Sequence, residues 1–169
     1  MAEIIYIGLG SNLGDRERLL KTAVHRLEQV EGLELIALSA IYNTRPQDMS
    51  DNSPEFLNQV AKADYEYTPG ELLRALEDIE QELGREEKGQ KQPRTIDLDL
   101  LLFGDREINT DSLIVPHPQL LKRAFVLIPL LQIDPDAVHP KSGKPLSDFV
   151  TTSGQSTVKL YKDHVAREI

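Results

Sequence analysis

The 169-residue chain has no cysteine. Disulfides, thiolate nucleophiles and cysteine-based zinc sites are therefore excluded. It has no tryptophan, and aromatic residues make up only 5% of it, a poor supply for a base-stacking platform. Positive charge is short as well. The 19 Lys and Arg are outnumbered by 28 Asp and Glu, for a net charge of −9. That balance disfavours non-specific attraction to nucleic acid or to an anionic membrane. No apolar run approaches the length of a membrane span, and the first residues carry an early acid, Glu3, with no basic stretch. They do not read as a signal peptide, and the cytoplasm is the expected compartment. Internal repeats and low-complexity runs are also missing.

What remains is an ordinary globular balance, 40% hydrophobic and 28% charged. The length suits one domain spanning residues 1–169. A chain of this size hides roughly 70% of its surface on folding, enough for a core without staples.

The apolar run 4–9 reads as a strand that ends in a turn at Gly8-Leu9-Gly10-Ser11-Asn12. Asp15 then caps a helix whose buried stripe is Leu19, Leu20, Ala23, Val24, Leu27 and Val30, with Gly32 as its left-handed stop. Residues 33–42 read as a second strand, 43–54 as a long polar loop and 55–67 as a third strand. Thr68-Pro69-Gly70-Glu71 is a capping box with proline at the first helical position. It opens a helix with the stripe Leu72, Leu73, Leu76, Ile79 and Leu83, which Gly84 stops. After a charged loop over 85–93, residues 96–103 form a fourth strand. A last apolar segment runs over 120–133 with Pro129 inside it, and the tail from Asp134 is turn-rich with a short strand near Val158. The order strand, helix, strand, strand, helix, strand predicts a ferredoxin-like α+β sandwich, helices on one face, with additional C-terminal elements.

Several groups of residues could carry chemistry. Gly8-Leu9-Gly10-Ser11-Asn12-Leu13-Gly14 lies between a strand and a helix, but its glycine spacing misses the dinucleotide fingerprint, and a tight turn needing small residues explains it better. Asp97 and Asp99 are two apart on a strand, so their carboxylates share a face about 7 Å from one another. Paired acids in that position invite a cation between them, and magnesium, which takes oxygen ligands and substrate phosphates, is the natural one. Inward charge guarding an edge strand, or pairing with Arg94, is the alternative. Arg85, Lys88, Lys91 and Arg94 gather positive charge in one loop of an acidic chain, as phosphate recognition requires, although Glu86 and Glu87 could simply balance them. Phe56 and Asn58 project from one face of the third strand. Together they offer a flat heterocycle a stacking surface and a donor–acceptor amide, or they are a core phenylalanine and a turn amide. His117 stands between two prolines with no histidine cluster around it.

Taken in order, Gly10-Ser11-Asn12-Leu13, Tyr42-Asn43-Thr44, Phe56-Leu57-Asn58, Pro93-Arg94-Thr95-Ile96-Asp97-Leu98-Asp99-Leu100, Val115-Pro116-His117 and Arg123-Ala124-Phe125 resemble the 6-hydroxymethyl-7,8-dihydropterin pyrophosphokinase family of folate biosynthesis. The resemblance spans nearly the whole chain. It implies a ferredoxin-like fold and Mg2+-dependent transfer of pyrophosphate from ATP to the pterin hydroxymethyl group, releasing AMP. It further implies that Asp97 and Asp99 hold two magnesium ions, and that Arg85 and Arg94 join them in catalysis. Thr44, Pro46, Phe56, Asn58 and Phe125 would seat the pterin. Glu77, Glu80, Arg85, Arg94, Leu98, His117 and Arg123 would contact ATP. The expected partners are these two small molecules alone, with no nucleic acid and no membrane, acting on a monomer. The sequence departs from the family pattern at Glu87, Lys91, Gln92 and Pro118. The competing reading is a non-catalytic ferredoxin-like module such as a metabolite sensor.

Overall fold

The structure is a computed structural model that describes residues 2–12, 15–44, 56–84 and 96–162. Its centre is a six-stranded antiparallel sheet. The strands are β1 (Glu3–Ser11), β2 (Leu33–Leu38), β3 (Ile41–Thr44), β4 (Phe56–Tyr65), β5 (Asp97–Phe103) and, after a separate two-stranded ribbon of β6 (Ile108–Asn109) and β7 (Ile114–Val115), β8 (Val158–Lys162). Their order is β5-β1-β4-β3-β8, with β2 also paired to β4. Helices α1 (Arg16–Glu28) and α2 (Pro69–Gly84) fall between strands as the sequence predicts. With them the chain has the ferredoxin-like βαββαβ arrangement.

Both helix starts form as expected. The Asp15 carboxylate accepts from the Arg18 backbone N–H at 3.2 Å. Thr68 and Glu71 exchange two bonds, Glu71 N–H to Thr68 Oγ1 at 3.2 Å and Thr68 N–H to Glu71 Oε1 at 3.3 Å. Each satisfies a donor the helix cannot satisfy itself. Their apolar stripes pack on one face of the sheet. Leu20, Ala23, Val24 and Leu27 of α1 and Leu72, Leu76, Ile79 and Leu83 of α2 meet Ile5, Ile7, Leu9, Leu57, Leu98 and Leu100.

Four expectations are corrected. Gly8 and Gly10 lie within β1, which runs to Ser11, and not in a turn. Gly32 does take a left-handed φ of +81°, but α1 ends at Glu28, so the glycine shapes the turn into β2. The expected strand over 33–42 is two strands. Ser39 separates them, and its side chain does what a ladder would: Oγ accepts from Val60 N–H at 2.9 Å, while Ser39 N–H donates to Val60 O at 2.9 Å.

The fourth correction concerns the other face of the sheet, which is also covered. The apolar segment over 120–133 divides into a short 3-10 turn (Leu120–Lys122) and α3 (Ala124–Ile133). Val126, Leu127 and Leu130 of α3 pack with Tyr6, Val60, Leu101 and Leu146 into a second core. A 3-10 turn (Leu146–Phe149) and the four-residue α4 (Thr152–Gln155) lead back to β8, which extends the sheet beyond β3. No helix among the described residues is long and apolar enough to cross a membrane.

Candidate active site

Alternation along the strands decides what faces outward. On β5, Leu98 and Leu100 belong to the core under α1 and α2, so Asp97, Asp99 and Leu101 point to the opposite face. On β4, Leu57, Ala61 and Ala63 go inward, leaving Phe56, Asn58 and Val60 on the same side as the aspartates. Between those two strands lies β1, where this face carries Gly8 and Gly10. Without side chains there, the sheet's backbone becomes the floor of an open cavity of about 830 Å³. A Cβ on Gly10 would stand 3.2 Å from Asn58 Oδ1, so the glycine also gives the amide its room.

The cavity brings together most of the residues singled out from the sequence. Thr44, Phe56, Asn58, Asp97, Asp99, Arg123 and Phe125 all line it. Asn58 is buried, and its Nδ2 donates to Thr44 Oγ1 at 2.7 Å. That bond orients the amide and leaves Oδ1 on the Gly10 side as an acceptor. The Arg123 guanidinium lies 5.6 Å from the centre of the Phe125 ring and 3.9 Å from Asp99 Oδ2. One cation thus touches both the aromatic and the acidic parts of the cavity.

His117 sits just outside the lining, half-buried, where it feels both Asp99 and Arg123. Burial pushes its imidazole below the usual range, Arg123 adds to that, and Asp99 opposes it. Its Nδ1 accepts from Gln119 N–H at 3.1 Å, and the His117 backbone N–H donates to Leu101 O at 3.0 Å. The ring is therefore neutral near pH 7, with Nε2 as the donor nitrogen.

Besides His117, three more expected nucleotide contacts do not line the cavity. Glu77 faces a shallow concavity on the outer side of α2, with Thr68, Arg74 and Ser112. Leu98 is buried in the core. The Glu80 carboxylate accepts from the Leu98 backbone N–H at 2.8 Å. Leu98 is the residue between the two aspartates, so Glu80 holds the strand that presents them. Arg85, Arg94 and Pro46 lie outside the described residues.

The structure also adds residues that sequence reasoning did not single out. Thr151, Ser153, Gly154 and Thr157 form one wall. Nothing in their spacing signals this. They arrive through the fold-back of the C-terminal segment.

The donor set fits a magnesium ion shared with substrate phosphates. It offers two carboxylates on one face, both partly open to the cavity. No group of three or more His, Asp or Glu side chains among the described residues could form a closed protein cage, and a phosphate-bridging ion does not need one.

Comparison with known proteins agrees with this geometry. The sequence model of the 7,8-dihydro-6-hydroxymethylpterin-pyrophosphokinase family matches residues 6–135. A 2-amino-4-hydroxy-6-hydroxymethyldihydropteridine pyrophosphokinase of Aquifex aeolicus is 43% identical over 145 residues, covering 86% of this chain and 89% of that protein. The folic acid synthesis protein fol1 of Schizosaccharomyces pombe is 38% identical over 167 residues, 99% of this chain. The chain spans only 23% of that longer protein. Among solved structures, an HPPK-DHPS in complex with substrates superposes with a TM-score of 0.69 at 14% identity, over 92% of this chain and 44% of its own. A Plasmodium falciparum HPPK-DHPS triple mutant gives 0.70 at 15%, over 88% and 43%. At such identities these structures speak for the fold.

Proposed function

Because the chain belongs to the 7,8-dihydro-6-hydroxymethylpterin-pyrophosphokinase family, we propose that it transfers the terminal pyrophosphoryl group of ATP to 6-hydroxymethyl-7,8-dihydropterin, in folate biosynthesis. The observation that carries this reading is one cavity with an aromatic–amide seat at one end and two same-face aspartates at the other. The hydroxymethyl oxygen attacks the β-phosphorus and gives up its proton. The bond between the α,β-bridging oxygen and that phosphorus breaks, and AMP leaves.

Each residue's part follows from its chemistry. Phe56 and Phe125 flank the pterin ring, which loses little by leaving water for aromatic surface. Asn58 Oδ1 accepts from the ring's N–H edge, while Thr44, already bonded to Nδ2, holds the amide in that orientation. Asp97 and Asp99 would hold two magnesium ions. Bound there, the ions would offset triphosphate charge and favour the alkoxide form of the attacking hydroxyl. Arg123, beside Asp99 and over Phe125, brings positive charge to the junction of the two substrates. Neutral His117 is a hydrogen-bond donor for phosphate oxygens. On the family pattern, Arg85 and Arg94 would complete the phosphate-binding charge and Pro46 would border the pterin. Glu77 and Leu98 lie further from the cavity, and Glu80 acts on the strand rather than on the nucleotide.

The direct test is AMP release from ATP with and without the pterin alcohol. Pterin-dependent AMP and pterin diphosphate in equal amounts are expected. ADP as the product, or AMP formed equally without pterin, would refute the transfer.

A further inference from the structure

The family match ends at residue 135, yet residues far beyond it reach the cavity. We infer that the C-terminal segment 151–158 is the third wall of the heterocycle seat. It works by keeping that wall narrow-waisted and small, so that affinity for the heterocyclic substrate depends on it. This rests on the reading of the cavity given above.

The segment is built to hold a shape. The Thr151 hydroxyl accepts from Gly154 N–H at 2.9 Å and caps the short α4 turn. The Thr157 hydroxyl donates to Gly154 O at 2.7 Å and closes it from the other side. Gly154 lies against the start of α3. A Cβ there would be 3.1 Å from Ala124 Cβ and 2.9 Å from Thr151 Oγ1, tighter than packed side chains tolerate. Ala124 immediately precedes Phe125. At its far end the segment runs into β8, where Val158 pairs with Thr44. The wall is therefore tied to both sides of the seat: to the Phe125 side through Ala124, and to the Thr44–Asn58 side through the sheet.

The anchorage of β8 is backbone and charge rather than core. Leu160 is 59% exposed, so the strand is held by its ladder to β3 and by Lys162 Nζ on Glu17 Oε1 at 2.6 Å. Side chains facing the cavity from this wall are small: Ser153, a glycine and two threonines. Bulk at Ser153 would enter the space it shares with Phe125; its hydroxyl also lies 3.3 Å from the capping Thr151 hydroxyl, a contact that Ser153→Leu and Ser153→Ala lose alike.

Three proteins test this: the full chain, Ser153→Leu and Ser153→Ala. Calorimetric titration with the pterin alcohol, in the presence of a non-hydrolysable ATP analogue, is read beside titration with the analogue alone and thermal midpoints. Ser153→Leu is expected to weaken pterin binding at least tenfold, with analogue affinity changed less than twofold and an unchanged midpoint. Ser153→Ala, which keeps the room, is expected to stay within twofold. Pterin binding by Ser153→Leu within twofold of wild type would overturn the wall while leaving the cavity's assignment standing. Equal losses in both variants would overturn the steric account in favour of the hydroxyl. Failure of the unmutated chain to bind the pterin would overturn the cavity's assignment and this inference with it.

Discussion

Removing the Glu80 carboxylate breaks a bond whose place in the site is unusual. Leu98 N–H points off the outer edge of β5, away from β1, because the strand's neighbouring donors face β1. Glu80 on α2 supplies the acceptor at 2.8 Å. A hydrogen bond to a charged acceptor contributes about 1.5–3 kcal/mol. At about 2–4 °C per kcal/mol for a domain of this size, its loss would lower the thermal midpoint by roughly 3–12 °C. Leu98 separates Asp97 from Asp99, so relaxation of its backbone displaces both carboxylates together. Half of the upper figure withheld from the transition state corresponds to roughly a tenfold loss in turnover. Glu80→Ala should therefore lower kcat about tenfold at saturating ATP and leave KM for ATP within twofold. Glu80→Gln, which keeps an acceptor oxygen, should recover most of the rate. Steady-state AMP release, with KM and kcat separated, reads all three quantities. A raised KM for ATP at unchanged kcat in both variants would refute the reasoning and make Glu80 a nucleotide ligand.

Asp97→Asn keeps the shape of the side chain and removes its charge. Turnover should fall at least 100-fold in the AMP-release assay with the fold intact by circular dichroism; a change within twofold would refute the metal assignment. Phe125→Ala removes one stacking surface from the cavity, and pterin affinity should drop roughly tenfold by calorimetry while analogue affinity holds. Acid should destabilise the chain through His139. Its imidazole is held below the usual value by burial and then by Lys141, with Glu107 opposing, and its Nδ1 accepts from Lys141 N–H at 3.3 Å. The unfolded state binds the proton more tightly, so this stability is present above about pH 6.5 and is lost as pH falls through the lower folded value. Urea midpoints between pH 7.5 and 5 should decline, and His139→Gln should make the decline shallower.

Much of the fold was legible because its signals are local. The Asp15 cap and the Thr68–Glu71 box each satisfy donors within four residues, and both helices begin there. The pairing of Asp97 with Asp99, and of Phe56 with Asn58, needs only the two-residue period of a strand, and both pairs do face one cavity. The rest depended on distant partners. Gly8 and Gly10 suit a turn as well as a strand; only β4 and β5 on either side show that their missing side chains make a floor. Ser39 splits a strand by bonding Val60, 21 residues away. The segment 124–133 is apolar nearly all round, so no periodicity told which face of the sheet it would cover. The C-terminal wall was illegible for the same reason, since its small polar residues acquire meaning only against Ala124 and Thr44.

These differences share a cause, and it bears on the Glu80 experiment. The sheet is used on both sides, but unequally. The face under α1 and α2 is continuous core, with Leu98 and Leu100 as part of it. The opposite face is covered by α3 only where Tyr6, Val60 and Leu101 lie, and is left open where Gly8, Gly10, Asp97 and Asp99 lie. Stability and chemistry thus come from alternate residues of the same strand. A perturbation of β5 reaches both when it acts on a backbone position that the two faces share. Glu80 does act at one such position, from the core side of the sheet, on the residue whose two neighbours face the cavity. The loss in midpoint and the loss in kcat in Glu80→Ala should therefore move together and recover together in Glu80→Gln. A variant that loses stability and keeps its rate would mean that the aspartates are positioned by β1 alone, through the Gly8 and Gly10 pairings.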